Sequence, residues 1–298
     1  MSTRQPGSYL DYPRKLRYLK LNSALVRRLL SLIYKPGKDY RILFGPLRGL
    51  RVRCYADSQF HVMLGLYDLE ILCLLTKVLN TLGRLKPTMT ACDFGANVGM
   101  YTLWLSRLAN PGTVYSFEPN PETYLKLRTN LELNQLANVQ ALPLACSDKT
   151  GTATFFLSDA HHEESTLNIG RDAKRIVNNS TSVQVQTTSL DDFFLGEFKR
   201  GSPEFIKMDI EGAGVVALDG AKRVIQQQRP VIYIESHNPA EDSAISRTCL
   251  EHGFSAYRFN NLSWVNSLQT VYPDPQGVWG NLLLVPTEER RHLLGVLP

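Results

Sequence analysis

Beyond Lys86 the chain alternates short strand-like runs with longer amphipathic ones, and this alternation limits the fold more than any other feature. Strand-like segments fall at Thr88–Phe94, Thr113–Phe117, Val139–Ala145, Phe205–Asp209, Val231–Glu235, Ala256–Phe259 and Asn281–Val285. Helical periodicity occupies Tyr101–Ala109, Glu122–Asn134, Val215–Gln228 and Glu241–His252. Helices that return the chain to parallel strands cover both faces of a sheet. The expected fold is therefore α/β, a Rossmann-like, doubly wound, mostly parallel sheet of seven strands. Between Gly151 and Phe194 the alternation lapses. There Thr152–Leu157 and Val183–Thr187 read as extra strands, and the polar stretch between them is expected to form a lid.

Residues 1–85 stand apart as an N-terminal extension that caps a main domain at 86–298. Residues 1–38 hold nine cations against Asp11, a net +8; the whole chain carries +5, so the rest carries −3. Within this arm Tyr18, Leu21, Leu25, Leu29 and Leu32 recur at helical spacing. Such a helix either packs its stripe on its own domain, the favoured reading, or lies on an anionic membrane surface. A slightly acidic body argues against nucleic acid as a partner. Tyr40–Cys54, around Gly45-Pro-Leu-Arg-Gly49, reads as a small ribbon, and Leu66–Leu82 as a helix. At 43% hydrophobic and 20% charged residues the chain is of globular composition. No apolar run approaches the ~20 residues that span a bilayer, and no secretory signal pattern stands near Met1. A cytoplasmic protein is expected, peripheral to membranes at most. The five cysteines lie far apart, without a CxxC pair, and the one histidine doublet is His161-His162, so spacing gives no metal site.

Ligands of open α/β sheets bind at the carboxyl ends of the strands. The first end reads Asp93-Phe-Gly95-Ala96-Asn97-Val-Gly99, a glycine turn into a helix. The next reads Phe117-Glu118-Pro119-Asn120, with Glu118 19 residues beyond Gly99 and placed to accept hydrogen bonds from ribose hydroxyls. Dinucleotide sites carry a middle glycine where this chain has Asn97, which favours a ligand without pyrophosphate, such as S-adenosylmethionine. Asp93 is expected to receive the ligand's amino group. Ser147 and Asp148 end the third strand, where they suit an adenine amino group or a plain turn. Asp209 and Glu211 end the fourth strand two residues apart, on one face if the strand continues. Either both are functional, or Glu211 caps the next helix and Asp209 alone touches ligand. Glu235 and His237 end the fifth, and His237 is the preferred general base because imidazole titrates near neutrality.

Together, Asp93-Phe-Gly-Ala-Asn-Val-Gly99, Phe117-Glu-Pro-Asn-Pro121, Met208-Asp-Ile-Glu-Gly212, Leu218-Asp-Gly-Ala221 and Glu235-Ser-His237 resemble the FkbM family of S-adenosylmethionine-dependent methyltransferases. Gly45-Pro-Leu-Arg-Gly49 and Gly65-Leu-Tyr67 extend the resemblance upstream, with Asp68 where the family more often has Glu. It implies a class I methyltransferase fold and transfer of a methyl group to a hydroxyl of a sugar, glycolipid or natural product. Asp93, Gly95, Ala96, Asn97, Gly99, Glu118, Pro119, Ser147, Asp148 and Asp209 are then assigned to the cofactor. Glu211, Glu235 and His237 fall to the acceptor side. A divalent ion on Asp209, Glu235 and Asn238 is a variant that the sequence does not favour. The rival readings are a nicotinamide-dependent oxidoreductase and a non-catalytic scaffold attached to a membrane by its basic arm.

Overall fold

The computed structural model describes residues 30, 32–56, 59–158, 167, 180–196, 200–259, 262–265 and 280–298. The amphipathic arm up to residue 29, His161-His162 and almost all of the expected lid lie outside them. The chain enters through a two-stranded ribbon, β1 (Asp39–Arg41) and β2 (Arg51–Arg53), followed by helices α1 (Phe60–Met63) and α2 (Leu69–Thr81). Then come β3 (Thr90–Phe94), α3 (Met100–Leu108), β4 (Thr113–Phe117), α4 (Pro121–Leu133), β5 (Val139–Leu142), β6 (Leu144–Cys146), β7 (Gly151–Ser158) and β8 (Ser180–Thr188). The remainder is α5 (Leu190–Leu195), β9 (Pro203–Met208), α6 (Gly214–Asp219), α7 (Lys222–Gln228), β10 (Val231–Ser236), α8 (Pro239–His252), β11 (Phe254–Arg258), β12 (Ser263–Trp264) and β13 (Gly280–Pro286).

The main sheet runs β12-β11-β13-β10-β9-β3-β4-β5. Strands β5, β4, β3, β9 and β10 are mutually parallel, and β13 lies antiparallel between β10 and β11. The central strands are apolar on both sides. Ala91, Val114 and Phe205 feed one core cluster, while Cys92, Phe94, Tyr115, Phe117, Ile206 and Met208 feed the other, as in a sheet covered by helices on both faces. Strand order reverses between β3 and β9, so their carboxyl ends part there and leave a crevice.

The structure corrects several expected boundaries. The sheet has an eighth, two-residue strand at its edge, Ser263–Trp264, paired with Tyr257 and Arg258. The expected strand Val139–Ala145 divides at Pro143, which lacks an N–H for a ladder. Val139–Leu142 stays in the main sheet, while Leu144–Cys146 joins the β7–β8 hairpin in a separate three-stranded sheet. The expected helix Val215–Gln228 breaks into α6 and α7 at Gly220, where a Cβ would run into the Ser147 carbonyl oxygen.

The N-terminal ribbon is tied to helix α4 by side chains that replace missing ladder partners. Asn130 Oδ1 accepts from Arg53 N at 2.9 Å, and Asn134 Oδ1 accepts from Arg51 N at 2.7 Å. Helix α2 buries Leu72, Leu75, Val78 and Leu79 in the same cluster as Leu103 and Trp104. Leu30 packs against that cluster, whereas Leu32 is exposed. Among the described residues no helix is long and apolar enough to cross a membrane.

Candidate active site

A cavity of about 470 Å³ opens at the carboxyl ends of β3, β4 and β9, with the small sheet and the α1 region as further walls. Its floor is the β3–α3 loop. The chain turns there through Gly95 (φ 71°) and Asn97 (φ 50°), left-handed conformations that glycine and asparagine tolerate best. Gly95 is required for a reason the sequence does not show: a Cβ would strike the Asp209 carbonyl oxygen, because β9 crosses directly beside the loop.

Glu118 closes the floor. It is 6% exposed; its Oε2 accepts from Asn97 N at 2.8 Å and its Oε1 from Asn120 N at 2.9 Å. Burial pushes its carboxyl up to about 7 against the opposing effect of those two amides. Asn120 in turn caps α4, with Oδ1 accepting from Glu122 N at 3.0 Å and Thr123 N at 3.4 Å. One side chain thus ties the glycine loop to the start of the next helix.

Of the residues expected at the cofactor, Gly95, Ala96, Asn97, Glu118, Pro119 and Asp209 line this cavity. Asp93 does not. It is fully buried behind the loop, where Thr102 Oγ1 donates to Oδ2 at 2.7 Å and Lys207 Nζ stands 3.3 Å from Oδ1. Its carboxylate is a support for the loop, facing protein on every side. Gly99 also lies off the lining; it starts α3 at φ 96°, and a Cβ there would press on Leu127 Cδ1 at 2.6 Å. Ser147 and Asp148 are displaced too, since Ser147 N is bonded to Thr188 O at 2.9 Å in the small sheet. Leu144, Ala145 and Cys146 provide that wall instead.

Sequence reasoning missed Lys207. Its ammonium is buried, donating to Gly95 O at 2.8 Å and Phe94 O at 3.4 Å, 3.7 Å from Asp209 Oδ2 and 5.2 Å above the centroid of the Tyr101 ring. Burial lowers its affinity for the proton, but Asp93 and Asp209 more than compensate and leave its pKa raised. A lysine within the apolar run Phe205–Met208 was the available signal, because a buried strand admits a charge only with partners.

Asp209 and Glu211 converge as expected, by a different route. Asp209 follows the end of β9, and Glu211 adopts φ 40°, so a left-handed turn brings the carboxylates together where strand parity was expected to. Glu211 does not cap α6; Gly214 N donates instead to Glu241 Oε1 at 2.7 Å. His237 Nε2 lies 3.5 Å from Asp209 Oδ1 and 3.5 Å from Glu211 Oε1, and its Nδ1 lies 3.5 Å from Glu241 Oε2. Burial would lower the imidazole's pKa, but the neighbouring carboxylates of Asp209, Glu211 and Glu241 hold it up at about 12. The expected general base thus stands among three carboxylates, a setting that favours its protonated form. Burial pushes Asp209 up, yet Lys207 and His237 outweigh it and leave its carboxyl lowered. Burial and the Asp209 charge push Glu235 up to about 7. Glu235 and His237 stand behind the lining, while Asp209 and Glu211 form it. Asn238, considered as a metal ligand, spends its side chain capping α8, accepting from Ala240 N and Glu241 N at 3.0 Å each.

Comparison with known proteins decides the family. The methyltransferase FkbM domain profile matches residues 93–256, more than half of the chain. The chain belongs to the FkbM methyltransferase family. This methyltransferase is 27% identical over 187 residues to Methyltransferase 1 of Beauveria bassiana, across 58% of its own length and 74% of the relative's. It is 27% identical over 160 residues to the hexuronic acid methyltransferase AglP of Haloferax volcanii, covering 53% of itself and 60% of AglP. Among solved structures, the FkbM methyltransferase of Methylobacillus flagellatus aligns with a TM-score of 0.44 and 18% identity, over 68% of this chain and 45% of that one. The chain thus spans less than half of that solved protein and less than two thirds of AglP. The order of the methyltransferase's own sheet, with antiparallel β13 between β10 and β11, is the class I arrangement.

Proposed function

We propose that the chain is an S-adenosylmethionine-dependent O-methyltransferase acting on a hydroxyl of a saccharide or natural-product acceptor. The observation that carries this is Glu118, a nearly buried carboxylate held on the cavity floor by the Asn97 and Asn120 amides. Each oxygen accepts one amide and keeps a further lone pair, and Glu118 lines the cavity, which suits a ribose diol. Asn97 puts a side chain where a pyrophosphate would need bare backbone. Gly95, Ala96, Asn97, Glu118, Pro119 and the Leu144–Cys146 wall would hold the cofactor. S-adenosylmethionine supplies an already activated methyl group.

The protein's share of the work is then chiefly alignment, worth up to ~7–11 kcal/mol when reacting atoms are held in line. Asp209 and Glu211 line the wall at which an acceptor arrives, and they can orient its hydroxyl by accepting its hydrogen bond. His237 neutralises part of their charge and keeps them together. Lys207 holds the loop carbonyls and Asp209 in register from beneath. Phe155 and Leu167 on one side, and Gln59, His61 and Tyr67 on the other, shape the mouth. AglP's description as a hexuronic acid methyltransferase supports an acidic sugar among the acceptors to be tried.

The test is to incubate the purified chain with S-adenosylmethionine carrying a 13C-labelled methyl group and a small-molecule and glycan extract. The carbon shift of the product tells methoxy from N-methyl or methyl ester. Labelled methoxy, absent with Glu118→Ala, is expected. Label appearing only on nitrogen or carboxylate would overturn the assignment to hydroxyls.

A further inference from the structure

The acidic wall has more ordered geometry than hydrogen bonding to an acceptor requires. Asp209 Oδ1, Glu211 Oε1 and His237 Nε2 all lie within 4.8 Å of one another, and the nitrogen is 3.5 Å from each oxygen. An octahedral ion with bonds of ~2.0–2.2 Å sets neighbouring ligand atoms about 2.8–3.1 Å apart and opposite ones about 4.0–4.4 Å apart. The triangle is slightly wider than a closed site. The two carboxylates, whose side chains are about one third exposed (33% and 32%), have room to draw in.

A separate feature lies behind the imidazole. Glu241 is 1% exposed, and its orientation is set by two backbone amides, Gly214 N on Oε1 and His237 N on Oε2, each at 2.7 Å. That leaves Oε2 facing His237 Nδ1 at 3.5 Å, on the far side of the ring from Asp209 and Glu211. A buried carboxylate behind one imidazole nitrogen, with the other nitrogen aimed at further ligands, is how proteins orient metal-binding histidines. Charge points the same way. Asp209, Glu211, Glu235 and Glu241 gather around His237 and Lys207, so the cluster is short of positive charge, and a dication at the centre of the triangle supplies it.

We propose that Asp209, Glu211 and His237 bind a divalent cation of the Mn2+ type on one face, leaving its remaining positions open to the cavity. Two carboxylates and one imidazole suit such an ion better than a thiolate-seeking one. At the same wall, coordination then replaces the hydrogen bond to an acceptor oxygen, and the ion selects acceptors with two neighbouring oxygens, a vicinal diol or a hydroxy acid. Only this last clause rests on the methyl-transfer reading.

The experiment is a Mn2+ titration of the chelator-treated full chain, without nucleoside, read by loss of the free-ion electron paramagnetic resonance signal. One ion per chain is expected. Glu211→Gln and His237→Gln should each weaken it by at least about tenfold, and Glu241→Gln by ~10–100-fold through the ring it orients. Glu132→Gln, on the exposed face of α4, should leave it unchanged. No bound Mn2+ in the native chain overturns the site, and so does binding that Glu211→Gln, His237→Gln and Glu241→Gln all leave intact. Calorimetry with S-adenosylmethionine on the same samples separates the two readings. Nucleoside bound without Mn2+ removes only the cation site; Mn2+ bound without nucleoside removes only the methyl-transfer reading.

Discussion

Replacing Lys207 with methionine isolates the group on which the β3–α3 loop rests. Lys207→Met keeps the apolar stem and deletes an ammonium that lies 3.3 Å from Asp93 Oδ1 and donates to Gly95 O at 2.8 Å. Asp93, with no exposed surface, is left with the single hydrogen bond from Thr102. Removing one partner of a buried pair costs ~3–5 kcal/mol, because the other charge stays buried without compensation. In a chain of this size each kcal/mol lowers Tm by about 2–4 °C, so the melting point should fall by roughly 6–20 °C. The double variant Lys207→Met with Asp93→Asn removes both charges and should recover much of that loss, a coupling of ~0.5–3 kcal/mol in a double-mutant cycle. Thermal and urea unfolding of the four proteins reads both quantities. A Lys207→Met shift below about 2 °C, or strictly additive single effects, would refute the reasoning.

Three further outcomes are expected. Glu118 is pushed up to about 7 in the folded chain, above its ordinary value of 4.5, so its ionisation opposes folding. Its contribution to stability is full below about 4.5 and is lost as pH rises through about 7. Tm of the ligand-free native protein should therefore fall as pH rises from 5 to 8, a fall that Glu118→Ala reduces, while nucleoside affinity, which needs the carboxylate, should strengthen through pH 7 in the native chain only. Gly95→Ala places a methyl group against the Asp209 carbonyl at φ 71° and should abolish nucleoside binding. It should also destabilise by more than the ~1–2 kcal/mol of a left-handed alanine, measured by urea unfolding. Asn120→Ala removes the cap of α4 and should cost ~1 kcal/mol, or about 2–4 °C, with weaker nucleoside binding because Glu118 loses its neighbour's order.

The sheet was legible because its central strands are apolar on both faces and its helices carry clear periods. β4 (Thr113–Phe117) coincides with the expected segment, and β3, β9 and β10 differ from theirs by one or two residues. Boundaries failed where long-range contacts surround them: at Gly220, between α6 and α7, a Cβ would meet the Ser147 carbonyl and the Gly220 carbonyl accepts from Asp191 N. The same distinction runs through the site. Glu118 could be read from its place after a strand, since topology alone carries it to the crevice. Asp93 has an equally suggestive place, but its side chain turns inward to Lys207, a pairing that only the register of β3 on β9 creates. His237 could be placed at a strand end, but its setting among Asp209, Glu211 and Glu241 could not, because Glu241 reaches it from the first turn of the following helix. The Gly95 requirement and the Asn130 and Asn134 bonds to the N-terminal ribbon arise from pairs far apart in sequence.

The central claim is that the Asn97–Glu118–Asn120 cradle is a nucleoside site for a methyl donor. Calorimetric titration of the native chain and of Glu118→Ala with S-adenosylmethionine, beside NAD, tests it most directly. Micromolar binding of S-adenosylmethionine to the native chain, weakened or lost in the variant and not matched by NAD, is the predicted result. A folded native chain that binds neither, or binds NAD more tightly, would contradict it.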